Sequence, residues 1–473
     1  LLDFIIMNGT LITMEGRGVG VLEDGAVGVK GNRIEVVGET SEVVKQYKAH
    51  RYVDATRKVV MPGLIDAHIH TGLGILRGLS QDTDQWMQKG LWPFMEVLTS
   101  QDRMIGSLVN IIEAVKSGTT TFCDYDSPML ELVKNHTLIG TRARVCEMIN
   151  EMPDDLSGLA VGELYPFDPS IGQQKLQANL KLMEEWHQRE NGRITCLMGP
   201  QGPDMMSKEL LLEVKALAEK YDTMIHMHVA QGDREINQMI KRYGKRSIPY
   251  LEEIGYLNRR LMAVHLTEAT REETHVLGKS GATMILCSGS IGIIDGIIPP
   301  AAEFLEVSDH LALGSDQAPG NNCNNMFNEM KFTAILNKCK AKDPKVFPAW
   351  KILRMVTIDA ARALGLGHEI GSLLPGKKAD MIILDLDQPT MVPLVHKPIR
   401  NLVPNLVYSA KGSEVETVIV DGQFIMENRN LLTVDEKHAV SQAHQAGAAL
   451  AERASSLVDL DTPLMTMMQQ GYL

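Results

Sequence analysis

The sequence predicts an α/β protein, a (β/α)8 TIM barrel carrying a small β-sandwich built from both chain ends. Three observations lead there. Between residues 61 and 368, short apolar runs alternate with amphipathic stretches, the texture of parallel strands joined by helices. Histidine or aspartate closes several of those runs, at the strand ends where such a barrel assembles its active site. Residues 1–60 and 369–430 consist instead of β-like runs cut by turn residues.

Taken in order, residues 4–11, 26–30 and 33–38 read as strands, with Gly31-Asn32 as a tight hairpin turn. Sixty residues of this kind are too few for an independent domain. Residues 380–385 and 415–420, the latter followed by Asp421-Gly422, have the same character, so the two ends are expected to pair as one discontinuous sandwich. Within the barrel region, eight strands are expected at 63–70, 119–125, 142–148, 194–199, 223–229, 261–265, 283–287 and 311–316. Helices are expected at 101–116, 173–187, 208–220, 234–242 and 271–280. Residues 431–473 form a C-terminal segment, with an Ala-rich helix at 434–457.

Composition narrows the function. A net charge of −12 and no basic block argue against a nucleic-acid surface, which needs clustered Lys and Arg. A small-molecule substrate fits better. Six cysteines without a C-x-x-C pair fit a reducing, cytoplasmic setting without disulfides. No signal peptide is evident and no apolar run reaches the ~18–20 residues of a membrane span. The 27 methionines read mainly as adaptable core filler.

The chemistry gathers around Met61-Pro-Gly-Leu-Ile-Asp-Ala-His-Ile-His70. An apolar run from Val59 to Ile65 reads as a buried strand leading into two histidines. Residues two apart on a strand share a face, so His68 and His70 project together as a pair of candidate metal ligands. Alone, the pair is weak evidence. It gains weight because the fifth strand ends in His226-Met227-His228, the sixth in His265 and the eighth in Asp316.

These residues carry a family resemblance. With Gly118-Thr-Thr-Thr-Phe122, Gly314-Ser-Asp316, Met355-Val-Thr-Ile-Asp-Ala-Ala-Arg-Ala-Leu-Gly365 and Pro375-Gly-Lys-Lys-Ala-Asp380, the chain resembles the amidohydrolase superfamily of metal-dependent hydrolases. It looks most like the branch of methylthioadenosine/S-adenosylhomocysteine deaminases, guanine deaminase and triazine hydrolases. The resemblance implies one divalent metal on His68, His70, His228 and Asp316, with His265 contacting the water or substrate. Zinc suits such a His3Asp set, with Co2+, Fe2+ or Mn2+ as alternatives. The fourth strand, Ile194 to Gly199, lacks the Lys or Glu of binuclear subgroups, so one metal is expected. A homo-oligomer is also implied.

Three positions leave the deaminase pattern. The Glu that shuttles protons three residues after the fifth-strand ligand is replaced by Gln231, whose amide has no titratable proton. The recognition histidines fall at Gln201 and near Cys287-Ser288. Trp86 and Trp92, in the long segment after the first strand, are candidates for a substrate-covering loop. With Asp316, His265 and Gln231 as catalytic candidates, these departures favour hydrolysis of an amide, anilide, urea or carbamate, or of an activated heterocyclic C–X bond. An aminohydrolase of a purine, adenosine derivative or triazine is the alternative. A catalytically inactive scaffold is a third reading.

Overall fold

The apolar run that leads into His68 serves two sheets. The computed structural model, which describes residues 1–153, 159–455 and 463–473, breaks this run at Gly63. The first five strands are β1 (Leu2–Ile12), β2 (Val21–Lys30), β3 (Arg33–Glu39), β4 (Ala49–Asp54) and β5 (Lys58–Pro62). Beyond Gly63 follow β6 (Leu64–His70), β7 (Thr119–Asp126), β8 (Arg142–Glu147), β9 (Ile194–Cys196) and β10 (Ile225–Val229). Next come β11 (Leu261–His265), β12 (Thr283–Leu286), β13 (Leu311–Leu313) and β14 (Asp316–Gln317), then β15 (Met381–Asp385), β16 (Val415–Val420), β17 (Gln423–Glu427) and β18 (Asn430–Leu431). Only glycine fits at the break: a Cβ there would lie 2.0 Å from the Thr120 hydroxyl oxygen.

Strands β6 to β14 form two parallel arcs. One is ordered β14-β6-β7-β8-β9 and the other β10-β11-β12-β13. A parallel bridge between Met198 and Ile225 connects the end of the first arc to the start of the second. At the other end, only Gly314 and Ser315 separate β13 from β14, which pairs with β6 through Asp316 opposite Ile69. The strands are buried along nearly their whole length, as expected of parallel strands covered by helices. Those helices include Ser100–Lys116, Pro169–Trp186, Lys208–Lys220, Gly232–Tyr243 and Arg271–Lys279, all close to the expected ranges.

Strands from both chain ends meet in one mixed nine-stranded sheet. The reason is β5, which pairs with β1 on one side and antiparallel with β15 on the other, joining the halves into a single path. Helix Glu436–Ala454 returns to pack on Ser100–Lys116, where Arg453 pairs with Asp102 and Lys116 with Glu436. The last two residues of the expected 434–457 helix lie outside the described residues.

Candidate metal and substrate site

Strand register sets the first part of the site. His68 and His70 leave β6 on one face, and each Nε2 lies 3.4 Å from Asp316 Oδ1. Asp316 comes this close because Gly314 lets the chain pass against His68; a Cβ at 314 would sit 2.8 Å from the His68 backbone N and O. His228 contributes a ring stacked at 5.6 Å on His70 and at 5.3 Å on His265. Its Nδ1 lies 2.8 Å from the Gln201 carbonyl oxygen and donates to it, leaving Nε2 with a free lone pair. His226, the other histidine of its pair, lies with Nε2 2.9 Å from His68 Nδ1. It therefore braces a candidate ligand.

The backbone is strained where these groups converge. Ala230, His265, Leu266 and Asp316 have φ of 53°, 80°, 56° and 62°, in the left-handed region. Non-glycine residues held there cost roughly 1–3 kcal/mol each and cluster at functional sites.

The donor set fits a divalent cation. Among the described residues, His68 Nε2, Asp316 Oδ1 and both ring nitrogens of His265 are buried without a hydrogen-bond partner, a costly condition unless something binds them. Ligand atoms within 4.8 Å of one another group His68 with His70 and Asp316, and His68 with His228 and His265. The 3.4 Å separations match the roughly 3.4 Å edge of a tetrahedron with bonds of ~2.1 Å.

Burial favours the neutral imidazole that metal ligation requires at His68, His228 and His265. Burial first, then repulsion among neighbouring rings, holds His68 and His226 well below the ordinary histidine range and His228 at about 4. Burial likewise depresses His265. Burial works to raise Asp316, but facing His265 and His70 and the Ser290 hydroxyl hold its carboxyl below the usual value.

A supporting shell was only partly legible beforehand. Ser290 donates to Asp316 Oδ2, which leaves Oδ1 for a cation. Asn324 donates to Ser315 Oγ at 2.8 Å and to the Asp316 carbonyl at 3.0 Å, while neighbouring Asn325 caps helix Met326–Ala341. Asp66, pushed up to about 7 by burial, accepts from the Ser315 amide and hydroxyl. Glu329, pushed up to about 8 by burial, accepts from the amides of Ser288 and Gly289 at the start of the helix that carries Ser290. Ser290, in a short helix, and His226, near the start of β10, are marked out only by their tertiary partners.

Above the histidines lies a cavity of about 370 Å3. His70, His228, Gln201, Gln231 and Trp92 line it, together with methionines 87, 95, 148, 152 and 205. Three expected substrate contacts lie elsewhere. Trp86 is buried in an apolar cluster with Leu73, Leu76 and Leu91 and donates from Nε1 to the Ser80 carbonyl at 2.7 Å. Cys287 is fully buried at the end of β12, where burial pushes its thiol well above the ordinary range. Ser288 is tied to Thr333 at 2.8 Å. Glu235, pushed up to about 7 by burial and by Asp204, also borders the cavity. Its oxygens accept the Ala230 and Gln231 amides at 2.7 and 2.8 Å. It caps a helix and does not stand in for the missing acid.

The profile of the amidohydrolase family matches residues 59–425. A 5-methylthioadenosine/S-adenosylhomocysteine deaminase of Thermoanaerobacter pseudethanolicus is 33% identical over 454 residues, 96% of this chain and 100% of the relative. A 5'-deoxyadenosine deaminase of Methanosarcina acetivorans is also 33% identical, over 96% of this chain and 100% of its own length. A zinc-bound adenosine deaminase of Xanthomonas campestris superposes with a TM-score of 0.87 at 27% identity, covering 95% of this chain and 99% of that one. Such neighbours imply a TIM-barrel-type α/β fold for the parallel arcs.

Proposed function

Because the chain belongs to the amidohydrolase family, we propose that it is a metal-dependent aminohydrolase that removes an exocyclic amine from a small nitrogen heterocycle. The observation that carries this is the convergence of His68, His70, His228, His265 and Asp316 in a chain alignable end to end with adenosine-derivative deaminases. This reverses the order of preference reached from the residues alone, where Gln231 weighed more heavily. We read the two parallel arcs as one closed eight-stranded barrel with the site at its mouth.

His68, His70, His228 and Asp316 would hold the cation, zinc fitting the donor set best. When bound, it supplies Lewis acidity that lowers the pKa of a coordinated water toward neutrality. The remaining work falls to the chain. Asp316, held by Ser290, accepts the proton of the attacking water at Oδ2. Asp316 then returns that proton to the departing amine, while His265 Nε2, 4.0 Å from that oxygen and beyond hydrogen-bond reach, stabilises charge growing on the substrate. Gln231 and Gln201 orient the heterocycle, and the methionine-lined wall excludes water around it.

Gln231 keeps a second reading in play: hydrolysis of an amide, urea, carbamate or activated C–X bond, which needs no ring protonation. Metal-loaded protein incubated with amino-heterocycles, phenylureas, anilides, carbamates and chlorotriazines separates the two by mass spectrometry of the products. Ammonia from an amino-heterocycle, lost in His265→Ala, is expected. Amine or carboxylate from the carbonyl set alone would overturn the deaminase reading. No turnover by protein carrying stoichiometric metal would leave the inactive scaffold.

A further inference from the structure

We propose that Lys175 and Asn150 act as positioning residues that turn the Gln201 carboxamide so that its N–H groups face the cavity. The substrate must then offer a hydrogen-bond acceptor there, a ring nitrogen or a carbonyl oxygen. This rests on the cavity being the site of a small-molecule hydrolase.

The two ends of a carboxamide are nearly isosteric, so its orientation follows from neighbours whose polarity is fixed. Asn150 Oδ1 receives the Met152 backbone N–H at 2.9 Å and Lys175 Nζ at 2.9 Å. Both groups can only donate. That end of Asn150 is therefore oxygen, and its NH2 end points the other way, to Gln201. Gln201 must meet it with Oε1. Its Nε2 is left with no hydrogen-bond partner among the described residues, on a side chain that lines the cavity.

The relay is held firmly. Asn150 is 8% exposed. The Gln201 backbone donates to the Ile149 carbonyl at 2.8 Å and accepts from His228 Nδ1 at 2.8 Å. One residue therefore sets both the tautomer of a candidate metal ligand and the place of a donor beside it. The Lys175 charge polarises the chain of hydrogen bonds and strengthens the terminal N–H. Gln231 differs: its carboxamide has no partner among the described residues, so it is free to present either end. The cavity thus combines one fixed donor with one ambivalent group.

The test is calorimetric binding to the full zinc-loaded chain of matched pairs differing by one acceptor. These are aminopurines against their deaza analogues, and aromatic ureas against their methylene analogues. Wild type is expected to lose about tenfold in affinity when one particular acceptor is removed. Asn150→Asp replaces the donor to Gln201 by an acceptor paired with Lys175. Gln201 then turns its oxygen to the cavity, and the tenfold preference should vanish or invert. Lys175→Met, which leaves Asn150 in place, should reduce it. A merely structural role would weaken all ligands alike. Discrimination confined to the urea pairs keeps the relay and overturns the deaminase reading. No discrimination in any pair, or the same discrimination in Asn150→Asp, overturns the relay.

Discussion

At the scale of the residue, Gln231 and Glu329 make opposite demands. Under the proposed function Gln231 stands where a proton shuttle would act, with no proton to move, and Glu235 behind it has both oxygens committed to backbone amides. Gln231→Glu is expected to raise the rate on any amino-heterocycle the enzyme turns over by about 10²-fold or more, the usual worth of a positioned acid. Steady-state rates against pH check this, and an unchanged rate would place residue 231 away from the proton path. Glu329 is a stability question. Its carboxyl is raised from 4.5 to about 8 by burial, so the folded chain binds a proton that the unfolded chain releases. Its stabilising contribution is present below pH ~4.5 and lost as pH rises toward 8. In Glu329→Gln the fall in melting temperature between pH 5 and 8 should be shallower, though not absent. Asp66 and Glu235, both near 7, titrate in the same window.

At the scale of the element, the site depends on how closely β14 approaches β6. Gly314 permits this, because the atoms nearest an added Cβ include the His68 backbone, which cannot rotate away. Gly314→Ala should cost about 1–3 kcal/mol of stability and weaken metal binding, measured by competition with a chromophoric chelator. Gly447 in helix Glu436–Ala454 is the control: a Cβ added there would meet no atom within 4 Å. There the same substitution should add roughly 0.5–1 kcal/mol through helix propensity. Equal metal affinity in both variants would show that the approach of β14 does not govern the site.

At the scale of the molecule, the nine-stranded sheet is fastened to the barrel strands by a buried ionic network. Arg142 of β8 donates to Asp380 at 2.6 and 3.0 Å and to Asp421 at 3.2 Å, and Lys378 approaches Asp421 at 3.2 Å. The guanidinium is almost fully enclosed. Removing it takes the cation from Asp380, while Asp421 keeps Lys378, and breaking a buried pair costs about 3–5 kcal/mol. Arg142→Ala should lower the unfolding free energy by that amount, whereas replacing Arg142, Asp380, Asp421 and Lys378 together by apolar residues should cost less. Both are measured by chemical unfolding with the metal present, since metal binding stabilises the folded state.

The alternation of strands and helices, and the strand ends where ligand-bearing residues stand, can be read from the residues alone. Periodicity and residue type are local properties that survive in a one-dimensional reading. His68, His70, His228, His265 and Asp316 were legible for that reason. Which neighbours those residues meet follows from the folded chain. It gave Ser290 to Asp316 and His226 to His68, and it removed Trp86, Cys287 and Ser288 from the cavity. It also joined the chain ends in one sheet through β5. Hydrogen-bond partners and burial depend on contacts between residues tens to hundreds of positions apart, and a local pattern carries no record of them.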